Sequence, residues 1–406
     1  MPIVAGVDSS TQSVKVVLRD ADSGELVAST SRPHPDGSEV NPQHWWKALS
    51  EALDELSSHK ISAISIAGQQ HGMIALDKDG TVIRDALLWN DTRSDKAAED
   101  LNREIPDIAL RTGSQLVASF TASKVRWLAD SEKANANRVA AIALPHDWLS
   151  WKLSGAKSIE TLFTDRSDAS GTGYFDSRKN EYCLDILATA IRTNQEIILP
   201  KIIAPNQFGA TSTNSIPIAA GAGDNAGAAL GLGASLGDLV ISLGTSGTAF
   251  AISKSSTHDS SGEVAGFADA TGNFLPLACT LNAAKIFNTV AKSLSLSFEE
   301  FSSLALSAKV GAEGLRIIPH FDGERTPNKP SAKGSFYGIT HSNFTRENIA
   351  RASIEGVIAG MIYAARAVER QGVSYSRILL IGGAAKNSAV QQIAADLFGR
   401  TIHIPP

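Results

Sequence analysis

Short apolar runs, each ended by small or polar residues, alternate with amphipathic stretches along the chain. Residues 3–7 and 14–18 are two such runs, joined by the polar Asp8-Ser9-Ser10-Thr11-Gln12-Ser13, and the pattern predicts a β-hairpin. A third strand is expected over 25–31, after the turn residues Asp20-Ala21-Asp22-Ser23-Gly24. Asn41-Pro42 then opens a helix with a capping side chain and a proline at its first position. Its buried stripe is Trp45, Leu49, Leu53 and Leu56. Residues 61–67 form the next strand, ending in Gly68-Gln69-Gln70-His71-Gly72. From 102 to 207 the pattern is mainly helical, with apolar spacing over 123–130 and 147–153. The polar stretch 167–173 reads as a flexible loop without chemistry.

Ile216-Pro217-Ile218-Ala219 reads as a short buried strand leading into Ala220-Gly221-Ala222-Gly223-Asp224-Asn225-Ala226-Gly227. Beyond it the opening pattern returns: an apolar run over 239–243, the turn Gly244-Thr245-Ser246-Gly247, and a run over 248–252. Two copies of one hairpin, each opening half of the chain, predict a duplicated domain. A long helix is expected from Thr345 to about Gln371, with Gly356 and Gly360 placed for close packing. A strand over 378–381, the Gly382-Gly383 pair and a helix to about Phe398 follow.

At 406 residues the chain is too long for one core, which agrees with two domains. A net charge of -5 gives no electrostatic case for nucleic acid or an anionic membrane. Cys183 and Cys279 cannot build a disulfide framework or a thiolate metal site, and they suit a reducing compartment. No apolar run reaches the roughly 20 residues of a membrane span, and residues 2–7 lack the features of a signal peptide. A cytoplasmic globular protein is expected.

The candidate chemistry sits just past strand ends, where open α/β sheets bind ligands. Asp224 stands there as a candidate catalytic base among small residues that let a ligand approach the backbone. The alternative is an aspartate that caps the helix beginning near Ala226. Asp8, at the end of the first strand, faces either a metal ion or only its own polar turn. Gln70 and His71 suit a polyhydroxylated ligand, or are a satisfied loop pair; His71 has no second histidine at metal-site spacing. Trp89, before Asn90 and Asp91, either stacks on a sugar or is a core residue ahead of a helix. The spacing excludes a Walker motif, and the glycines after Gly221 do not form the dinucleotide fingerprint.

These pieces together resemble the FGGY family of carbohydrate kinases, and within it the xylulokinase branch. The match carries Gly334-x-Phe336-x-Gly338-Ile339 followed by Asn348-Ile349-x-x-Ala352-Ser353-Ile354-Glu355, the family's second signature. Ser119-x-Thr121-x-x-Lys124-Val125-x-Trp127-Leu128-x-Asp130 nearly meets the first, with Ser131 departing. Gly68-Gln69-Gln70-His71-Gly72 looks like the sugar-site motif with Gln70 in place of methionine, and Ser10 replaces the usual glycine of the first turn. Trp89-Asn90-Asp91-x-Arg93, Gly223-Asp224-Asn225-Ala226, Leu243-Gly244-Thr245-Ser246-Gly247 and Gly323-Glu324-Arg325-Thr326-Pro327 stand as that branch has them.

The resemblance implies two actin-like (ribonuclease H-like) ATPase domains, α/β, facing a central cleft. Residues 1–232 would bind the sugar and carry the base, and 233–406 would bind the nucleotide. Family members continue past a point matching Ile404-Pro405-Pro406, so the second domain is expected to be incomplete at its C-terminus. It implies an ATP-dependent kinase for the terminal hydroxyl of a ketopentose, D-xylulose first. Another FGGY sugar such as ribulose, and a non-catalytic sensor on the same fold, are the alternatives. By position, Asp224 is the base and Asp8 and Asp224 lie beside Mg²⁺. Gln70, His71, Trp89, Asp224 and Asn225 face the sugar. Ser10, Thr11, Lys15, Gly244, Thr245, Gly383, Ala384 and Asn387 face ATP. Sugar and ATP are the expected partners, without nucleic acid or membrane, and a homodimer is a compatible assembly.

Overall fold

The computed structural model describes residues 2–193 and 195–405, so Pro406 of the terminal tripeptide lies outside it. The chain divides into two compact units, Met1–Gly231 with Phe267–Asn273, and Leu232–Gly266 with Phe274–Pro406.

The first unit is built on β1 (Ile3–Ser9), β2 (Ser13–Asp20) and β3 (Leu26–Pro33), an antiparallel ribbon. Val14, Val16 and Leu18 are buried while Lys15 and Arg19 are exposed, the two-residue alternation of a strand with one covered face. Helix α1 (Pro42–Glu55) packs on β2 and β3. Asn41 caps it by accepting the Gln43 N–H at 2.9 Å, and Pro42 stands at the first turn, where no N–H is needed. Trp45 and Leu49 are fully covered, and burial of such side chains contributes about 1.5–3 kcal/mol each.

Strand β4 (Ile61–Gly68) pairs parallel with β1 and so carries the chain back to the same sheet end. The sheet is completed by β5 (Phe208–Thr211), β6 (Pro217–Ala219) and β7 (Ala222–Gly223), in the order β5-β6-β4-β1-β2-β3 with β7 also on β4. Helix α2 (Pro145–Leu153) is buried on nearly every face, its polar residues included. The expected loop over 167–173 is instead the short helix α3 (Arg166–Ala169) followed by a 3-10 turn at Ser170–Thr172. Every residue of it is buried. Several of its polar groups pair within the segment: Asp165 accepts the N–H groups of Ser167 and Asp168, and the Ser170 and Thr172 hydroxyls donate to the carbonyls of Ser167 and Ala169. Helix α4 (Asp224–Gly231) begins where β7 ends.

The second unit repeats the plan. The strands of its main sheet are β8 (Asp238–Leu243), β9 (Gly247–Ala251), β10 (Val264–Ala268, of which Val264–Gly266 lie in this unit), β11 (Phe274–Thr280), β12 (Arg377–Ile381) and β13 (Ile402–His403), in the order β10-β11-β9-β8-β12-β13. An antiparallel hairpin β8–β9 with β12 parallel to β8 matches β1–β2 with β4 parallel to β1. Helix α5 (Arg346–Arg370), capped by Thr345, lies on β9 and β11, and helix α6 (Ser388–Phe398) lies on α5. Gly356 does allow close packing, since a Cβ there would meet the Ile317 carbonyl oxygen at 2.8 Å. Gly360 does not: a Cβ there would enter open space.

Candidate active site

Strand register brings the two candidate carboxylates to one sheet end. Asp8 pairs with Ala67 of β4 from one side, and Ala222 pairs with Ala67 from the other. Asp224 follows one residue beyond β7 and is the first residue of α4. Its Oδ1 accepts the Asn225 backbone N–H at 2.8 Å and the Asn225 side-chain amide at 2.9 Å. Burial pushes the Asp224 carboxyl up to about 6 against these donors, and the negative charge of Asp8 pushes the same way. Burial also raises Asp8, opposed by Lys15, its partner across the hairpin.

Gln70 and His71 are buried just past β4. The Gln70 amide donates to the Ser167 carbonyl at 3.0 Å. His71 Nδ1 lies 2.6 Å from the Gly171 carbonyl oxygen, which can only accept, so Nδ1 carries the proton. His71 holds a φ of 70°, a left-handed conformation that strains a residue with a side chain. Its ring is fixed between Phe120 and Phe267, at centroid distances of 4.8 and 5.5 Å. The Trp89 indole N–H donates to Thr11 Oγ1 at 2.8 Å, and that hydroxyl donates to Gln69 Oε1 at 3.4 Å. Trp89 is thus tied to the first hairpin turn, and the Thr11 hydroxyl is engaged by protein on both sides. The Ser10 hydroxyl closes its own turn on the Ser13 carbonyl.

The glycines around Asp224 serve a different purpose from the one their pattern suggests. A Cβ on Gly223 would lie 2.6 Å from Gln70 Nε2, and one on Gly221 would lie 2.4–2.6 Å from the His146 ring and 2.6 Å from the Ile66 carbonyl oxygen. A Cβ on Gly68 would meet His146 Cβ at 2.8 Å. The small residues admit protein side chains, chiefly His146, behind the loop.

His146, Asp147, Ser167 and Asp168 are the functional surroundings that the sequence pattern left unassigned. The one signal is local to α2, where a His-Asp pair stands beside Trp148, Leu149 and Trp151 in a helix start; Ser167 and Asp168 carry none. His146 Nε2 donates to the Ala220 carbonyl at 3.0 Å, and Nδ1 lies 2.7 Å from Asp168 Oδ2 and 3.0 Å from Asp147 Oδ1. Burial works against the charged imidazole, but Asp147 and Asp168 outweigh it and hold His146 well above the usual histidine range. Burial also raises the Asp168 carboxyl, against His146; with acceptors at both ring nitrogens, the imidazolium–carboxylate form is the one the geometry favours. The three groups offer ligand atoms for a metal, but an imidazolium carries a proton on each ring nitrogen and has no lone pair for a cation, so His146 is held here as an ion-pair partner.

In the second unit, Gly382 has a φ of 92° and lies against Leu243, where a Cβ would come within 2.6 Å of the carbonyl oxygen. This close approach sets the Gly382-Gly383 bend beside the end of β8 and the Gly244–Thr245 turn. Thr245 and Gly383 are exposed there, and Ala384 is buried. Asn387 lies further on as the cap of α6: its Oδ1 accepts from Ala389 and Val390, and its amide donates to Ser302.

The models of the N-terminal and C-terminal domains of the FGGY family of carbohydrate kinases match residues 3–231 and 239–406. The chain belongs to this family. An FGGY kinase is an ATP-dependent sugar kinase, and its substrates are a sugar and ATP. Among curated relatives, the xylulose kinase of Streptomyces coelicolor is 40% identical over 422 residues, covering 100% of this chain and 84% of that protein. The xylulose kinase of Escherichia coli is 32% identical, covering 98% of this chain and 85% of that protein. The crystal structure of xylulose kinase from Bifidobacterium adolescentis superposes with a TM-score of 0.91 at 42% identity, covering 100% of this chain and 89% of that one. A gluconate kinase from Lactobacillus acidophilus reaches 0.90 at 25% identity, covering 99% and 85%, so the FGGY fold does not itself fix the sugar. The two units carry the family's actin-like fold, and among the described residues no helix is long and apolar enough to cross a membrane.

Proposed function

We propose that this kinase transfers the γ-phosphoryl group of ATP to the terminal hydroxyl of D-xylulose, giving D-xylulose 5-phosphate, with Asp224 as the general base. The observation that carries the assignment is the Asp224 carboxyl, raised to about 6 at the end of β7 with Asp8 across β4. A carboxylate with that pKa is ionised at neutral pH and is a stronger base than an ordinary aspartate. The relatives named xylulose kinase support the choice of sugar.

The sugar oxygen forms a bond to the γ-phosphorus, the bond to the β–γ bridging oxygen breaks, and the hydroxyl proton goes to Asp224. Gln70 and His71 would hold sugar hydroxyls, oriented by the carbonyls of Ser167 and Gly171, with Trp89 and Asn225 bordering the sugar. Two carboxylates at one sheet end, the charge of Asp8 helping to raise Asp224, fit a divalent cation, and Asp8 is the residue that would hold Mg²⁺. Bound Mg²⁺ supplies charge neutralisation on the phosphates. Thr11 would meet phosphate through its backbone N–H group on a turn that Ser10 closes by donating its own N–H to the Ser13 carbonyl at 3.0 Å, and Gly244, Thr245, Gly383 and Ala384 would receive the nucleotide on the second unit. Half-buried Cys183 and Cys279, without a disulfide, suit a cytosolic enzyme.

The test is ADP release with D-xylulose, D-ribulose, L-ribulose and glycerol. D-Xylulose should give the highest kcat/KM. A higher value for a ribulose would move the enzyme to a ribulokinase-like activity, and no release with any sugar would remove the kinase assignment.

A further inference from the structure

The run from Ala220 to Gly223 that delivers Asp224 is held at both ends by buried polar groups from elsewhere in the chain. At one end His146 donates to the Ala220 carbonyl. At the other, the Gly223 N–H donates to Ser167 Oγ at 3.0 Å. The same Ser167 receives the Gln70 amide on its carbonyl oxygen at 3.0 Å. One fully buried serine therefore touches the peptide preceding the base and the amide assigned to the sugar. Ser167 is itself immobilised, because its N–H donates to Asp165 Oδ2 at 2.7 Å and its neighbour Asp168 holds His146 at 2.7 Å. Arg166 adds bonds of 2.9 Å to the Ser177 carbonyl and to Asn180 Oδ1.

We propose that Ser167 is a positioning residue that sets the catalytic base in register with the sugar-binding amide, its hydroxyl acting on the base loop and its carbonyl on Gln70. The inference rests on the kinase reading above and on Asp224 as the base. Its consequence is a separation of effects. Removing the hydroxyl unpairs a buried N–H beside Asp224 and leaves the acceptor for Gln70, a main-chain carbonyl, intact. Misplacement of a base by a fraction of an ångström lowers turnover without weakening ground-state binding.

Ser167→Ala is assayed on D-xylulose beside the wild type, with thermal unfolding of both proteins. The expected result is a kcat lower by roughly ten- to a hundredfold, a sugar KM within about threefold of wild type, and a cooperative transition that is retained. A kcat within about twofold of wild type would overturn the proposal. So would a rise in KM as large as the fall in kcat, or loss of the folded state, since either makes Ser167 a packing residue. An active wild type beside an unaffected variant rejects the positioning role alone; a wild type silent on every sugar rejects the kinase reading and this inference with it.

Discussion

The two units share one strand plan and differ at the strand ends. In the first, β1 and β4 end in side chains: Asp8 before the turn, Gln70 and His71 after β4. In the second, the equivalent ends of β8 and β12 present bare backbone at Gly244, Gly382 and Gly383. The support behind them differs too. The Asp224 loop lies on a buried polar network of His146, Asp165, Ser167 and Asp168, whereas the Gly244 turn stands above an apolar core that includes Leu243, Ile358 and Met361. A site that moves a proton needs a carboxylate held in one place, and that demands fixed polar partners. A site that receives phosphate needs only accessible N–H groups, which glycine provides.

The contrast predicts that side-chain loss is most damaging in the first unit. Asp224→Ala should lower kcat by about 10²–10⁴-fold, the usual contribution of a general base, while sugar binding stays measurable by calorimetry. Backbone crowding gives the next largest effect. Gly221→Ala places a Cβ against the Ile66 carbonyl and the His146 ring at a φ of 82°, and should destabilise the fold by roughly 3 kcal/mol or more in chemical denaturation. Gly244→Ala meets nothing closer than the Ser246 carbonyl oxygen at 3.5 Å. It should cost under about 1 kcal/mol of stability and instead raise the KM for ATP. Equal destabilisation by the two alanines would erase the distinction between the loops. A smaller effect is expected of Asp8→Asn. It should raise the Mg²⁺ concentration needed for half-maximal rate by about tenfold and shift the acid limb of the rate profile to lower pH, because the Asp8 charge helps to raise Asp224.

Much of this architecture was legible in the residues. The hairpins show because apolar runs such as 3–7 and 14–18 flank a polar turn, and the duplication shows because the Thr11 and Thr245 turns repeat. Asp8 and Asp224 were visible as acids just past strand ends. The scaffold behind them was not. Ser167 and Asp168 look like solvated loop residues, and only the three-dimensional packing reveals that they are buried and bonded to partners up to about a hundred positions away, as Gln70 meets Ser167. The glycines misled for a related reason: a small residue signals close approach, but the sequence does not say whether a ligand or His146 approaches. Asn387 could have been recognised locally, since an asparagine directly before a helix is a cap.

The pH dependence of kcat/KM for D-xylulose tests the role of Asp224 most directly, because it follows the enzyme before the sugar binds. A base must be ionised, and the raised carboxyl of Asp224 gains its proton as the pH falls, so kcat/KM should be level above neutrality, bend at about pH 6 and fall tenfold per unit below it. The residual turnover of Asp224→Ala should lack that limb. A wild-type kcat/KM that stays flat from pH 7 to about pH 5, or the same limb in Asp224→Ala, would contradict the assignment.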